Sequence, residues 1–168
     1  MSSVTPCRAL GCAILTSVAV GCADEPPPIE DTMPGYPYAY AMTDCAPWDG
    51  IATSIYLSAG PLERAVLPGS EVPRPHVWIS VYTAAPDLTG ATITIDNERQ
   101  ASAALCPADG ACVTASRGRI RIRETSADRS LVGDFELEFF APSELADAIS
   151  TLRGGFRAAW HERSILCG

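Results

Sequence analysis

Alternation of polar and apolar residues with a period of two is the feature of this sequence that most restricts its fold. The clearest examples are residues 119–123, which read RIRIR, and residues 133–140, which read GDFELEFF. Successive side chains of a β-strand point to opposite faces of the sheet, so this pattern indicates strands with one wet and one dry face. Further runs rich in β-branched and aromatic residues lie at 50–58, 76–83, 91–95 and 155–161.

Turn-forming dipeptides separate these runs, namely Pro68-Gly69, Pro86-Asp87, Asp96-Asn97, Asp109-Gly110 and Gly154-Gly155. Short strands at such intervals are typical of an antiparallel β-sandwich or a small barrel. We therefore expect a mainly β, single-domain protein. One segment differs, because residues 143–152 place four apolar side chains on a helical stripe after Ser143, a good N-cap residue. The pattern predicts one short helix over 143–152.

The two most regular strands carry opposite charges on their wet faces. If the chain turns back at Asp128-Arg129, an antiparallel register aligns three arginines with three acids, as the pairs Arg123–Asp134, Arg121–Glu136 and Arg119–Glu138. Cross-strand pairs of this kind stabilise a sheet by a few tenths of a kcal/mol up to about 1 kcal/mol each and help to fix register. We interpret these residues as a structural ladder rather than as catalytic carboxylates.

The first 22 residues have the layout of a secretory signal. Arg8 precedes an apolar run that is shorter than the ~20 residues of a membrane-spanning helix, and small residues follow it. The end of the run, Ala19-Val20-Gly21-Cys22, resembles the lipobox of bacterial lipoproteins, although that family prefers Leu at the place of Ala19. The resemblance implies cleavage before Cys22, diacylglycerol on Cys22 and a domain outside the cytoplasm. The alternatives are an ordinary secretory signal or a buried helix that ends in Cys.

A proline-rich segment follows the proposed lipidation site. Its prolines disfavour helix and favour extended chain, which predicts a signal peptide at 1–21, a lipidated tether at 22–44 and a β-rich globular domain at 45–168. Tyr36, Tyr38 and Tyr40 alternate within the tether. They are either an adhesive peptide motif or the start of a first edge strand, and we favour the strand.

Four cysteines remain once Cys7 and Cys12 leave with the signal and Cys22 carries lipid. An even number in an oxidising compartment indicates disulfides. Metal binding is the competing interpretation, but the spacing of Cys106 and Cys112 does not match the usual zinc pattern. We expect the pairs Cys106–Cys112, which flank a short Asp-Gly loop, and Cys45–Cys167, which lie at the two ends of the domain. The C-terminal residues 152–168 also have a loose likeness to small β-rich lipoproteins of high-GC bacteria, which implies only a fold.

The composition excludes several functional classes. The net charge is −8 and every basic residue is Arg, so nucleic acid and a sheet of anionic lipid are disfavoured by overall charge. The sequence contains no Gly-x-Ser-x-Gly, no His-x-x-x-His, no phosphate-binding loop and no dinucleotide fingerprint. We therefore predict no cofactor and no metal. The only histidines, His76 and His161, fall in predicted strands.

These observations predict a protein anchored by lipid on Cys22 to the cell membrane or the outer membrane, facing the periplasm or the exterior. The expected role is a non-enzymatic binding or structural module, with an envelope protein or a glycan as partner. An envelope hydrolase and an accessory subunit of an envelope complex are the alternatives. An exposed aromatic patch around Trp48, Trp78 or Tyr40 favours binding, whereas a pocket that joins His76 or His161 to a carboxylate favours the hydrolase.

Overall fold

The computed structural model describes residues 33–62, 72–96, 100–125, 130–140, 151–161 and 165–167. Eight strands lie in this part of the chain, with the bounds β1 (Tyr38–Cys45), β2 (Ile51–Ser58), β3 (His76–Val81), β4 (Thr92–Ile95), β5 (Ala101–Cys106), β6 (Val113–Thr125), β7 (Ser130–Phe139) and β8 (Thr151–Trp160). A short 3-10 helix, Ala85–Leu88, precedes β4. The prediction of a mainly β protein is confirmed.

Seven of these strands close into a barrel. Around it the order is β6, β5, β3, β2, β1, β8 and β7, and β7 pairs with β6 to complete the ring. The β4 strand lies beside the second half of β6. All pairings are antiparallel except a short parallel contact between β1 and β8, at Tyr40 with Ala159 and Ala41 with Trp160. The β6–β7 pairing closes the ring, and the short β1–β8 contact is among its least extensive junctions.

Apolar side chains fill the barrel interior. Large residues with less than 2% exposure come from most strands of the ring, including Ile55, Leu57, Ile79, Ile120, Leu137 and Phe156. The rings of Phe135 and Phe156 stack with their centroids 6.4 Å apart. Met33 is 8% exposed and belongs to the same core. An eight-stranded or smaller barrel has an interior that side chains can fill, and this one is packed as a core.

The globular domain begins earlier than the sequence predicts. Residues 33–44 were assigned to the tether, but Met33 is a core residue and β1 is a full member of the barrel. The expected strand at Tyr38 and Tyr40 is therefore present, yet it is not an edge strand, because it pairs with β2 on one side and β8 on the other. Prolines at 34 and 37 precede β1 and do not interrupt it.

Two further differences concern β5 and β8. The Ala- and Ser-rich β5 was not predicted, since Ala and Ser carry little β-propensity. Residues 143–150 of the predicted helix lie outside the described residues. Its last two residues, Thr151 and Leu152, are instead the first residues of β8, where Leu152 pairs with Leu137 and is buried in the core.

Both predicted cysteine pairs lie at disulfide distance. Cys45 and Cys167 have Cα atoms 5.5 Å apart, and Cys106 and Cys112 have Cα atoms 4.1 Å apart. The first pair joins the end of β1 to the C-terminal residues. The second closes the loop between β5 and β6, where Arg74 donates a hydrogen bond of 2.6 Å to the carbonyl oxygen of Gly110.

The predicted charge ladder has the right strands but the wrong register. The β6 and β7 strands are adjacent and antiparallel, with Arg119 opposite Glu136 and Arg121 opposite Asp134. The shift from the prediction is two residues, so every side chain keeps its face. One residue of the shift is already present at the end of β6, where Thr125 lies opposite Leu131, and the break in register between Ile122 and Glu124 adds the second. Of the predicted pairs only Arg123–Asp134 forms, with Nε and Oδ2 2.8 Å apart.

Candidate binding site

Apolar side chains fill the barrel interior, so a ligand must bind on the outside. The outer surface of the barrel has two distinct faces. The first face is formed by β1, β2, β3 and β5 and carries aromatic and small side chains. After its first residue, β2 is buried along both faces, although one of these faces points away from the core. Side chains from neighbouring segments therefore cover the outer side of β2.

Three aromatic side chains, Trp48, Trp78 and Tyr82, lie over this face, and we name them the aromatic platform. Cross-strand register places small residues between and beneath them at the outward positions Ala52, Ser54, Ser80, Ser102 and Ala104. Ala52 and Ser54 have no exposed area and Ser80 only 3%. Outward strand positions usually carry solvated polar groups, so burial of small residues there indicates that larger side chains lie over them, and Trp78 and Tyr82 reach Ser54 and Ser102.

A hydrogen-bond chain holds the Trp78 side chain against the barrel. Its indole Nε1–H donates to the Ser54 hydroxyl at 3.4 Å, and that hydroxyl donates to Oδ2 of Asp44 at 3.0 Å. The other carboxylate oxygen of Asp44 accepts a hydrogen bond of 2.9 Å from the backbone N–H of Cys45. Because both ends of the chain are anchored, the indole is fixed across β2 before any ligand arrives, which lowers the entropic cost of binding.

Trp48 and Tyr82 form the second part of the platform. Their ring centroids are 4.9 Å apart with an interplanar angle of 72°, and the Tyr82 hydroxyl donates to the Ser102 hydroxyl at 2.8 Å. Trp48 lies in the hairpin between β1 and β2, next to Asp49, whose φ of 62° is one that Asp tolerates better than most residues. Trp48 is 56% exposed, so it is the most accessible ring of the three.

A smaller apolar cluster adjoins the platform. Met42, Tyr56 and Val72 are buried there, with Leu62 and Trp78 packed against them. The Tyr40 hydroxyl accepts a hydrogen bond of 2.9 Å from the backbone N–H of Leu62. Tyr40 is thus partly buried against the domain. Tyr38 and Tyr40 are therefore part of the structural strand β1, which supports this face.

The second face is formed by the outer sides of β6, β7 and β8, and we name it the arginine face. Glu136 accepts ion pairs from Arg119 on one neighbouring strand, at 3.6 Å, and from Arg153 on the other, at 2.6 Å. A shallow depression of about 360 Å³ lies on this face, lined by Arg117, Gly118, Arg119, Glu136 and Glu138. Charged side chains of both signs line this depression, so it is not an apolar pocket of the kind that binds a small molecule.

The histidines do not form an acid–base site with any described carboxylate. His76 is 6% exposed, its ring lies 6.3 Å from that of Tyr56, and its Nδ1 is buried without a hydrogen-bond partner. His161 directly follows β8, and its backbone N–H donates to the carbonyl oxygen of Ala41. Neither histidine side chain makes an ion pair with a described residue, so the geometry gives no support to the hydrolase alternative.

Because His76 is buried, the stability of the fold decreases when this side chain becomes protonated at low pH. Loss of solvation lowers the pKa of His76 below its usual 6.5, and the nearby charge of Arg74 lowers this pKa further, while backbone carbonyls at Pro73 and Val72 act in the opposite direction. The unfolded chain therefore binds the proton first as pH falls. Above pH ~7 His76 is neutral in both states and the fold keeps its full stability. This stability decreases as the pH falls through the range between the unfolded and folded pKa values of His76.

We expect the urea concentration at the unfolding midpoint of the wild type to decrease as the pH is lowered from 7.5 to 5.5. His76→Gln should remove most of that decrease, since it has no group that titrates in this range. His161→Gln is the matched control and should retain the decrease. The same slope in His76→Gln as in the wild type, or loss of the slope in His161→Gln, contradicts the assignment.

The predicted lipidation site and the predicted disulfides have different outcomes in the structure. Cys22 lies outside the described residues, whereas the four domain cysteines are paired as above. In the part of the chain that the structure describes, no helix is long and apolar enough to span a membrane, and no three His, Cys, Asp or Glu side chains are grouped to hold a metal ion. No protein family, curated protein or solved structure matches the chain.

Proposed function

We propose that this protein is a lipid-anchored cell-envelope module that binds a glycan on the aromatic platform. The exposed ring of Trp48, with the half-buried rings of Trp78 and Tyr82 held in place by hydrogen bonds, carries the proposal. Large aromatic side chains that combine an apolar ring with a polar edge dominate recognition surfaces. The N-terminal resemblance to lipoproteins supports an anchor at Cys22, and the two cysteine pairs at disulfide distance support an oxidising compartment.

The chemistry of the platform favours a sugar over other ligands that stack on aromatic rings. Nucleobases stack on such rings too, but Asp44 and Asp49 lie close to Trp48 in the sequence and make this end of the platform locally acidic. A polyanion is repelled by these charges. A sugar ring offers a flat C–H face to the indole of Trp48 and hydroxyl groups to the carboxylates of Asp44 and Asp49.

The arrangement also favours a glycan over a purely apolar protein partner. The carboxylate of Asp49 is exposed beside Trp48 and that of Asp44 is partly exposed, so a ligand that buried the platform without hydrogen bonds would remove the solvation of these groups. A glycan keeps such groups satisfied directly or through water. An accessory subunit of an envelope complex remains the second function class, and its protein partner would use the same face.

Replacement of Trp48 by Ala should weaken glycan binding at least about tenfold, or about 1.4 kcal/mol, because the most exposed ring of the platform is lost. The measurement is retention of the full processed protein on gels that contain neutral polysaccharides, together with co-sedimentation with purified cell-wall glycan. Phe140→Ala is the matched control, since Phe140 is 76% exposed but lies outside the platform. Equal binding by Trp48→Ala and wild type, or no retention of the wild type, rejects the glycan.

A further inference from the structure

The arginine face concentrates positive charge on an acidic protein. Six of the twelve basic residues lie on the outer side of β6 and β8, namely Arg117, Arg119, Arg121, Arg123, Arg153 and Arg157. Four acids share the face, namely Glu124, Asp134, Glu136 and Glu138. The face therefore has an excess of positive charge, whereas the whole chain has a net charge of −8.

The guanidinium groups form the outer layer of this face. The side chains of Arg119 and Arg153 are 55% and 72% exposed, but that of Glu136 between them is only 31% exposed. Arg117 and Arg121 make no ion pair with a described residue. A flat surface that approaches the face meets guanidinium groups first. Guanidinium binds phosphate with a planar fork of N–H donors.

The described structure begins in the core, on the inner side of one strand of this face. A Cβ atom on Gly154 of β8 would lie 3.0 Å from the Met33 sulfur, so Met33 packs against the inner side of β8, whereas Arg153 of the same strand faces outward. The eleven residues from Cys22 to Met33 span at most about 40 Å even when fully extended. An anchor at Cys22 thus keeps the barrel within about 40 Å of the membrane surface, and the charge of its faces decides which one turns toward the bilayer. The aromatic platform belongs to β2 and β3, on the opposite side of the barrel.

We propose that the arginine face docks on the anionic phospholipid headgroups of the membrane in which the Cys22 lipid is inserted. This inference rests on the proposed lipid anchor. The acids elsewhere on the protein do not prevent docking, because charges more than about 8–10 Å apart are largely screened at physiological salt. Docking turns the aromatic platform away from the bilayer, toward the envelope glycan. The headgroups therefore fix the orientation in which the platform is presented.

Arginine footprinting of the full processed protein in vesicles tests this orientation. Intact mass spectrometry first measures the lipid on Cys22, so failure of the anchor is seen separately from failure of docking. Phenylglyoxal labelling is then compared between phosphatidylcholine vesicles and vesicles that also contain phosphatidylglycerol. We expect labelling of Arg117 and Arg121 to slow at least about threefold with phosphatidylglycerol. Labelling of Arg74, which lies before β3, should not change, and 1 M salt should abolish the protection.

A pair of charge-matched variants separates the face from overall charge. Arg117→Gln with Arg121→Gln should reduce the protection of Arg119 and Arg153. Ala108→Glu with Ala111→Glu changes the net charge equally in the exposed loop between β5 and β6 and should retain it. Equal labelling in both vesicle types, equal protection of Arg74, or equal loss in both variants overturns the docking. Absence of lipid on Cys22 would refute the proposed anchor. Flotation of the unlipidated protein with phosphatidylglycerol vesicles then tests whether the arginine face binds these headgroups without an anchor.

Discussion

Removal of the Cys45–Cys167 bridge is expected to lower the melting temperature about twice as much as removal of the Cys106–Cys112 bridge. The first bridge closes a loop with a sequence separation of 122 residues and the second a loop of 6. In the chain-entropy account these loops correspond to about 5 and about 2 kcal/mol. For a domain of this size, the shifts are about 15 °C and about 8 °C.

The comparison uses double Cys→Ser variants so that no unpaired thiol remains. Cys45→Ser with Cys167→Ser is measured beside Cys106→Ser with Cys112→Ser, both as processed protein from the oxidising compartment. Peptide mapping without reductant is the direct control on connectivity. A Cys45–Cys106 or Cys45–Cys112 peptide, or equal melting temperatures for the two variants, refutes the expected order.

The strands that the sequence predicts well are those in which burial on one face dictates the residue types. Residues 119–123 and 133–139 alternate because one side of β6 and β7 packs into the core and the other meets water. The β5 strand was missed for the opposite reason. Its inward residues Ala101 and Ala103 are small and its outward residue Ala104 is only 6% exposed, so neither face carries the usual signal.

Register was predictable only to within two residues. Alternation fixes which face a side chain occupies, but it contains no information about an extra residue in one strand. The interruption between Ile122 and Glu124 leaves Arg123 without a direct cross-strand partner, yet its side chain still reaches Asp134. The chemistry of that pair was therefore correctly predicted although its geometry was not.

The candidate site was only partly visible in the sequence. The sequence indicates Trp48, Trp78 and Tyr40 as centres of a patch, but it does not indicate Tyr82 or Asp44. Their roles depend on which residues the register brings together, since Trp78 reaches Asp44 through Ser54. A usable signal was present in β2 and β3, where small residues occupy outward positions that normally carry solvated side chains. Such positions indicate that another side chain covers the strand.

Gly133→Ala is expected to destabilise the barrel by about 3 kcal/mol or to prevent folding, because the added methyl group has no space. Gly133 lies opposite Phe156 of β8, and a Cβ atom there would meet the backbone carbonyl oxygen of Arg121 and come within 2.6 Å of the Phe156 ring. The carbonyl belongs to the adjacent β6 strand, so it cannot move away without disturbing the β6–β7 ladder. Phe156 is fully buried and cannot turn outward.

Gly50→Ala is the matched control for this substitution. A Cβ atom at Gly50 meets its neighbours only at 3.7 Å and beyond, which is ordinary contact, so the free energy of unfolding should change by less than about 0.5 kcal/mol. Urea denaturation of both variants measures the difference. Because Phe156 fills the space above Gly133, the two residues act as one packing unit, and Phe156→Leu should be less harmful in the Gly133→Ala background than in the wild type. Independent, additive losses from the two substitutions would show that the ring does not depend on the glycine.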